Sequence, residues 1–534
     1  MADTTKHNSR MELLTDYTDY ADAQKHFSKA ALWVLFDGTP ESFNIAHECI
    51  DRHANDPTRV AVNIAHAEGH NEQLTFSDIA DESSRLANWL VANGIEKGDR
   101  VAFMLEPSRP FYVAMFGAMK MGAISVPLFT LFGPEGLELR IGDCKPSVLI
   151  TNAEKSAMAR EACYKTGTRL VVADEKFFAE VAKFSTAYTP STSGSDMAAY
   201  QYTSGTTRAL PEAVKHTHQS IVTLTIAALY GTGVRPGDNF FCPSSPAWGH
   251  GMWHGTLAPL ALGVTTGTFS GKFNPARLLE ALSQLGITNV SAAATHYRMM
   301  MNAGVADKYK FAFQKLSYTG EPIDAKTLEF VKDTFHIDVC SMYGTTEIGV
   351  ILVNYPGAKD FKVKPGSLGK PVPGQRVEVQ DKDGKPTKPN QIGEIKLFRR
   401  DAWLSTKDLG YTDEEGYFYH GGRADDVIIS AGWTMSAVEI ENVLLKHPLV
   451  KEAAVIGVKD ELRGQVVKAF IVGPAGQLDE ATLKEIQSFT KDKLSQHEFP
   501  RIVEVVNELP KTPAGKVNRK VLRDQENAKI SVAA

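Results

Sequence analysis

The sequence predicts a large α/β domain with mainly parallel sheets and a β-rich part towards its end, followed by a small α+β domain. Three observations predict it. At 534 residues the chain exceeds what one hydrophobic core organises. Short apolar, strand-like runs alternate with amphipathic helical patterns along most of it. After Asp426 the style changes to a compact mixed unit of the size of an independent domain.

Taken in order, Leu86, Trp89 and Leu90 mark one face of a helix that stops near Gly94, ahead of strand-like Val101, Ala102, Phe103 and Met104. The most apolar stretch, residues 111–128, is interrupted by Lys120 and contains Gly117 and Gly122. It reads as a buried helix running into a strand at Ile124 to Val126, not as a membrane span. Val148 to Ile150 and Leu170 to Val172 are further short strands. Residues 189–196 (TPSTSGSD) have loop composition and read as a surface loop rather than a domain linker. The turn-rich residues 381–389 lie between the apolar runs around Val377 to Val379 and Ile395 to Leu397, which predicts a β-hairpin. Beyond the style change come a helix from about Ser436, strands at Ala453 to Ile456 and Ala469 to Val472, a helix carrying Leu483, Ile486, Phe489 and Leu494, and a strand from Ile502. The boundary falls between Gly421 and Asp426, dividing residues 1–424 from residues 425–534.

Composition narrows the function. Apolar residues make up 43%, charged residues 23%, and the formal net charge is −5, as in an ordinary globular protein. No basic surplus points to nucleic acid or an anionic membrane, so an anionic ligand has to be held by local groups. The 5 cysteines lie far apart, without a CxxC pair or zinc spacing, and are expected to be reduced and buried. The first residues lack the apolar core and cleavage site of a signal peptide, so the cytoplasm is the expected address.

From Tyr202 the chain reads YTSGTTRALPEAVKHTH, between an apparent strand and a helix expected near His218. Small hydroxyl residues around a glycine let backbone N–H and side-chain O–H groups converge on phosphate oxygens. The segment resembles the phosphate-binding loop of the adenylate-forming superfamily, which comprises acyl-CoA synthetases, luciferases and peptide-synthetase adenylation domains. The resemblance places Thr203, Ser204, Gly205, Thr206 and Thr207 on ATP phosphates. Two positions depart from the family pattern. Arg208 replaces a glycine and is open to two readings, a substitute cation beside pyrophosphate or a solvent-facing side chain. Glu212 stands where a lysine is usual, and a carboxylate cannot take over the stabilisation of phosphate.

Further segments follow in the family's order. SYTGEP from Ser317 and SMYGTTEIG from Ser341 are similar to its adenine and magnesium segments. The resemblance implies that Gly320, Glu321 and Pro322 line the adenine with main-chain atoms and that Tyr343 stacks on the base. It also implies that Thr346 bonds the α-phosphate and that Glu347 holds Mg²⁺, a role suited to a hard oxygen ligand. WLSTKD from Trp403 places Asp408 on the ribose hydroxyls, with Lys407 in a glycine's position. GRADD from Gly422 gives Arg423 a ribose or phosphate contact and makes Asp425 the hinge between two domains, the smaller of which is expected to move.

Near the end, PKTPAGK from Pro510 matches the family's lysine segment, which makes Lys516 the expected catalytic residue. A carboxylate attacking a triphosphate brings two anions together, and one ammonium between them offsets the repulsion. In the second half-reaction the resemblance gives Gly432 to the pantetheine arm of coenzyme A, where the lack of a side chain leaves room.

The resemblance spans residues 43–522, and KPGSLGKP from Lys364 looks most like the medium-chain acyl-CoA synthetase and benzoate-CoA ligase branch. The implied activity is an AMP-forming carboxylic acid:CoA ligase using ATP, Mg²⁺ and coenzyme A. No carrier-protein segment follows Lys516, which argues against a peptide-synthetase module. Trp248 and His250 lie where the family builds its acyl pocket, an assignment that competes with an aromatic-rich core segment. With the small-residue run at Ala292 to Ala294, they point to a medium-sized apolar acid, aliphatic, cyclic or aromatic. Two alternatives stay open: transfer of the acyl group to another acceptor, and a nucleotide-binding protein that has lost catalysis.

Overall fold

The computed structural model describes residues 12–202, 212–345, 348–423, 427–430, 433–460, 464–474, 478–494, 499–512 and 517–533. The alternating pattern of the first half forms a six-stranded sheet. Its strands run in the order Arg169–Val172, Val148–Thr151, Arg100–Met104, Ile124–Pro127, Met197–Gln201, Val214–Thr217. The first five are parallel and only the last is antiparallel. The helix read from Leu86, Trp89 and Leu90 spans Phe76–Ala92, where Thr75 and Asp78 form a capping box that satisfies its first free N–H groups.

The most apolar stretch is the buried helix Arg109–Met121 and the strand Ile124–Pro127, as expected. Lys120 sits inside this helix at 1% exposure, and its Nζ donates to Asp51 Oδ1 at 2.7 Å, Ser84 Oγ at 2.9 Å and the Ala80 carbonyl at 3.0 Å. All three ammonium donors are thus satisfied. Burial lowers the Lys120 pKa, and Asp51 opposes that shift. Lys120→Ala leaves the Asp51 carboxylate without its cation beside a new cavity, and is expected to cost about 3–5 kcal/mol in a urea unfolding titration.

A second sheet of ten strands joins two halves. Phe240–Phe241, Asn289–Ala293, Lys315–Thr319 and Val339–Thr345 are parallel neighbours. Gly349–Val353, Ser367–Pro371, Phe418–Arg423, Ala402–Thr412, Gly393–Arg399 and Arg376–Gln380 continue the sheet in antiparallel fashion. This is the β-rich part, and the hairpin expected around residues 381–389 is the pair Arg376–Gln380 and Gly393–Arg399. Register shifts interrupt the pairing at Tyr343/Gly344, Ser367/Gly369, Glu394/Lys396 and Leu409/Gly410. Bulges of this kind bend strands and increase twist.

The small unit is α+β. Glu452–Asp460 pairs antiparallel with Gly464–Val472, which pairs parallel with Ile502–Val505. The helices Ala437–Leu444 and Glu480–Lys493 contribute Ile440, Leu444 and Ile486 to its core with Val455 and Ile471. Among the described residues no helix is long and apolar enough to cross a membrane. All five cysteines are buried and free, as expected.

One local element was not expected. The helix begins at Ser220, close to the expected His218, but Val214–Thr217 ahead of it forms a strand paired with Met197–Gln201. Residues 203–211 therefore join two antiparallel strands. Val214 and Thr217 are β-branched and favour the pleated geometry, but four residues are too few for periodicity to reveal.

Candidate active site

In a parallel sheet the strands' carboxyl ends are where ligands gather. Four strands of the ten-stranded sheet deliver candidate residues at that edge. Ser244 and His250 follow Phe240–Phe241, and Thr295 and His296 follow Asn289–Ala293. Gly320, Glu321 and Pro322 follow Lys315–Thr319, and Tyr343 lies near the end of Val339–Thr345.

Tyr343 reaches across to Asp408. Its hydroxyl donates to Asp408 Oδ2 at 2.6 Å. Four strand intervals separate their strands in the sheet, which would be about 19 Å if the sheet were flat. The bond therefore requires the antiparallel half to curl back, and the bulges supply the bend. Asp408 is 6% exposed, and its backbone N–H donates to Thr406 Oγ1 at 3.1 Å. Arg423 is registered opposite Asp408 on the neighbouring strand. Lys407 has φ +61°, the left-handed region. A non-glycine residue there costs roughly 1–2 kcal/mol, which explains why glycine suits this position.

Gly320 turns the chain at the strand end with φ +100°. The Glu321 carboxylate accepts from Thr295 Oγ1 at 2.6 Å and lies 3.4 Å from Arg298. Its side chain is therefore committed to the neighbouring helix Ala294–Ala303, which fits a main-chain role for residues 320–322.

His250 is buried between two serines, with Nδ1 3.0 Å from Ser244 Oγ and Nε2 2.9 Å from Ser291 Oγ. Burial, with His254 and His296 nearby, drives its pKa well below the ordinary 6.5, so the ring is neutral. The half-buried Trp248 packs edge-on to it, with centroids 6.2 Å apart. Trp253 Nε1 donates to Gln201 Oε1 at 2.9 Å and so ties this region to the strand that precedes residues 203–211.

The structure adds two residues that sequence reasoning missed. Asp143 Oδ2 accepts from the Tyr202 hydroxyl at 2.6 Å and from the Ala213 N–H at 3.3 Å, so one carboxylate ties both flanks of residues 203–211. His420 lies 3.8 Å from Asp408. Neither belongs to a motif, and both are found only through three-dimensional contact.

Several expected site residues lie outside the described residues: Thr203, Ser204, Gly205, Thr206, Thr207, Thr346, Glu347, Asp425, Gly432 and Lys516. Among the described residues no group of three or more His, Cys, Asp or Glu is arranged to hold a metal ion. Two surface clefts of about 420 and 450 Å³ open elsewhere, one around Lys315 and Asp338 and the other around Asp51 and Ser84. The first lies at the opposite, amino ends of the parallel strands.

Comparison with known proteins places this geometry in a class. Residues 50–400 match the AMP-binding enzyme family, and residues 439–516 match the AMP-binding enzyme C-terminal domain. The chain belongs to the AMP-binding, adenylate-forming enzymes. Within them it falls among the AMP-forming acyl-CoA synthetases, the acid–thiol ligases, which bears out the resemblance read from the motifs. It is 31% identical over 552 residues to an acetyl-coenzyme A synthetase of Bacillus subtilis, covering 95% of each chain. It is 33% identical over 491 residues to 4-hydroxybutyrate–CoA ligase 1 of Metallosphaera sedula, covering 86% of each. The crystal structure of a Brucella canis acyl-CoA synthetase superposes with a TM-score of 0.74 at 31% identity, over 96% of this chain and 100% of that one.

Proposed function

We infer that the chain joins a carboxylic acid to coenzyme A in two steps. The acid's carboxylate attacks the α-phosphorus of ATP, forming an acyl-adenylate and releasing pyrophosphate. The thiol of coenzyme A then attacks the acyl carbon, forming the thioester and releasing AMP. The observation that carries this reading is the Asp408 carboxylate, fixed by the Tyr343 hydroxyl at 2.6 Å beside the carboxyl edge of the parallel strands. A buried, ionised carboxylate held at one depth is what a nucleotide's ribose hydroxyls require.

In this reading Thr203, Ser204, Gly205, Thr206 and Thr207 receive the phosphates. Gly320, Glu321, Pro322 and Tyr343 flank the adenine, and Asp408 and Arg423 hold the ribose. Thr346 binds the α-phosphate, and Glu347 would hold Mg²⁺, which would supply positive charge for the leaving pyrophosphate. Lys516 brings carboxylate and phosphate together. Residues 1–424 and 425–534 act as two domains about Asp425, and Gly432 lies by the pantetheine arm.

For the acid we favour a medium-sized apolar one, aliphatic, cyclic or aromatic. His250 supports this, because both its ring nitrogens face serine hydroxyls within the protein and its burial keeps it uncharged, so it offers no cation to a charged acyl tail. The relatives span acetyl and 4-hydroxybutyrate substrates, so size has to be measured. Pyrophosphate release is to be followed with Mg·ATP across linear, cyclic and aromatic acids, with and without coenzyme A. The expected result is release with a mid-sized apolar acid, and AMP plus thioester only when coenzyme A is present. Release without thioester formation would favour another acceptor, and no release with any acid would favour a non-catalytic protein.

A further inference from the structure

The geometry points to His420 as a ribose-binding residue that shares a nucleotide hydroxyl with Asp408, an inference that rests on the nucleotide site proposed above. Asp408 and His420 lie on neighbouring antiparallel strands, Ala402–Thr412 and Phe418–Arg423. The register runs Asp408 to Arg423, Leu409 to Gly422, then Gly410 to His420, so Gly421 is an extra residue without a partner. Side chains alternate faces along a strand, and opposed residues share a face. Asp408 and Gly410 are therefore on one face, and the bulge at Gly421 brings His420 onto it. Without the bulge His420 would be opposite Tyr411, on the other face.

The ring's orientation is set as well. The Gly422 backbone N–H donates to His420 Nδ1 at 3.3 Å. A nitrogen that accepts cannot carry the proton of a neutral imidazole, so the proton sits on Nε2. That Nε2 lies 3.8 Å from Asp408 Oδ1, on the other side of the carboxylate from the Oδ2 that Tyr343 engages. The separation is too long for a direct hydrogen bond. It is the spacing across which one hydroxyl oxygen, at ordinary distances of about 2.7 Å from the carboxylate and about 2.9 Å from the ring, bridges the two groups. Such a hydroxyl donates to Asp408 and accepts from His420, using both of its capacities, and a carboxylate oxygen accepts more than one hydrogen bond. The ring centroids of His420 and Tyr343 are 6.2 Å apart, so the histidine also borders the residue assigned to the base. At 16% side-chain exposure it is enclosed enough for its N–H to matter yet open to a ligand.

The test is equilibrium binding of Mg·ATP, 2′-deoxy-ATP and 3′-deoxy-ATP, by calorimetry, to the full chain and three variants. His420→Phe keeps a ring and removes the donor, and His420→Gln restores an N–H. Asp408→Asn checks the nucleotide site itself. His420→Phe is expected to weaken Mg·ATP about tenfold, as the loss of one hydrogen bond does. It should leave unchanged the affinity for the deoxynucleotide that lacks the bridging hydroxyl, and His420→Gln should regain most of the loss. An equal loss on ATP and on both deoxynucleotides would show that His420 only supports the fold, and would overturn the inference. If Asp408→Asn separates ATP from a deoxynucleotide while His420→Phe does not, this inference falls and the nucleotide site stands. If neither variant separates them, the ribose assignment of Asp408 falls too.

Discussion

Replacing Lys516 with alanine is expected to lower acyl-adenylate formation at least about a hundredfold, because one preorganised charge in a water-poor site carries about 2.7–4 kcal/mol. The same variant should still convert a chemically supplied acyl-adenylate to thioester when coenzyme A is added, since that step brings a thiol to a mixed anhydride and has no second phosphate anion to overcome. The described residues on either side of positions 513–516 are held by several bonds. Lys511 bridges Val517, and Asn518 N–H donates to the Pro510 carbonyl at 2.7 Å. Arg519 binds the buried Glu441 through two nitrogens, and Glu441 also accepts from Val455 N–H at 2.7 Å. These bonds flank position 516 without using its side chain, so truncation should leave the unfolding midpoint near that of the native chain. Pyrophosphate exchange with the best acid measures the first effect, and thioester formation from the acyl-adenylate measures the second. A native exchange rate would overturn the role of Lys516.

The fold was legible wherever a hydrophobic period was long or a turn was chemically marked. The helix Phe76–Ala92 shows its stripe in Leu86, Trp89 and Leu90, and the hairpin flanking residues 381–389 is announced by its Asp, Gly and Pro residues. Short strands such as Val214–Thr217 were not legible, because four residues carry no period. The site divides in the same way. Tyr343 and Asp408 stand in sequence motifs, and the structure brings their side chains together. His420 and Asp143 escaped because their positions depend on a bulge and on a long-range contact. A one-residue insertion in a strand leaves no mark in composition, yet it decides which face every later side chain occupies. Lys120 is the converse case. In sequence it argued against a membrane span, and only the structure shows Asp51, Ala80 and Ser84 converging on its ammonium.

Stability is expected to fall by several kcal/mol as pH drops from 7.5 to 5.5, and the cause is a set of histidines buried without charge. Burial holds His53, His216, His218, His254 and His296 down to about 4, and His250 well below the ordinary 6.5. The unfolded chain binds protons at these rings below about pH 6.5, while the folded chain refuses them until about pH 4. Their contribution is thus complete above the unfolded value and is lost as pH falls towards the folded one. One unit below 6.5 each ring forfeits at most about 1.4 kcal/mol. His53, His216, His254 and His296 are partly exposed, which reduces their share, so the set forfeits on the order of 5 kcal/mol at pH 5.5. That is a large part of the roughly 5–15 kcal/mol that holds a typical domain. Carboxylates held below their ordinary 3.8, such as Asp324 with Thr327 and Arg298 beside it, lose their contribution only below about pH 4, so the two effects separate. Urea unfolding at pH 7.5, 6.5 and 5.5 should show a modest fall in midpoint across the first interval, where each ring forfeits at most about 0.4 kcal/mol, and a fall roughly three times as large across the second. A midpoint unchanged down to pH 5.5 would mean that these imidazoles accept protons in place.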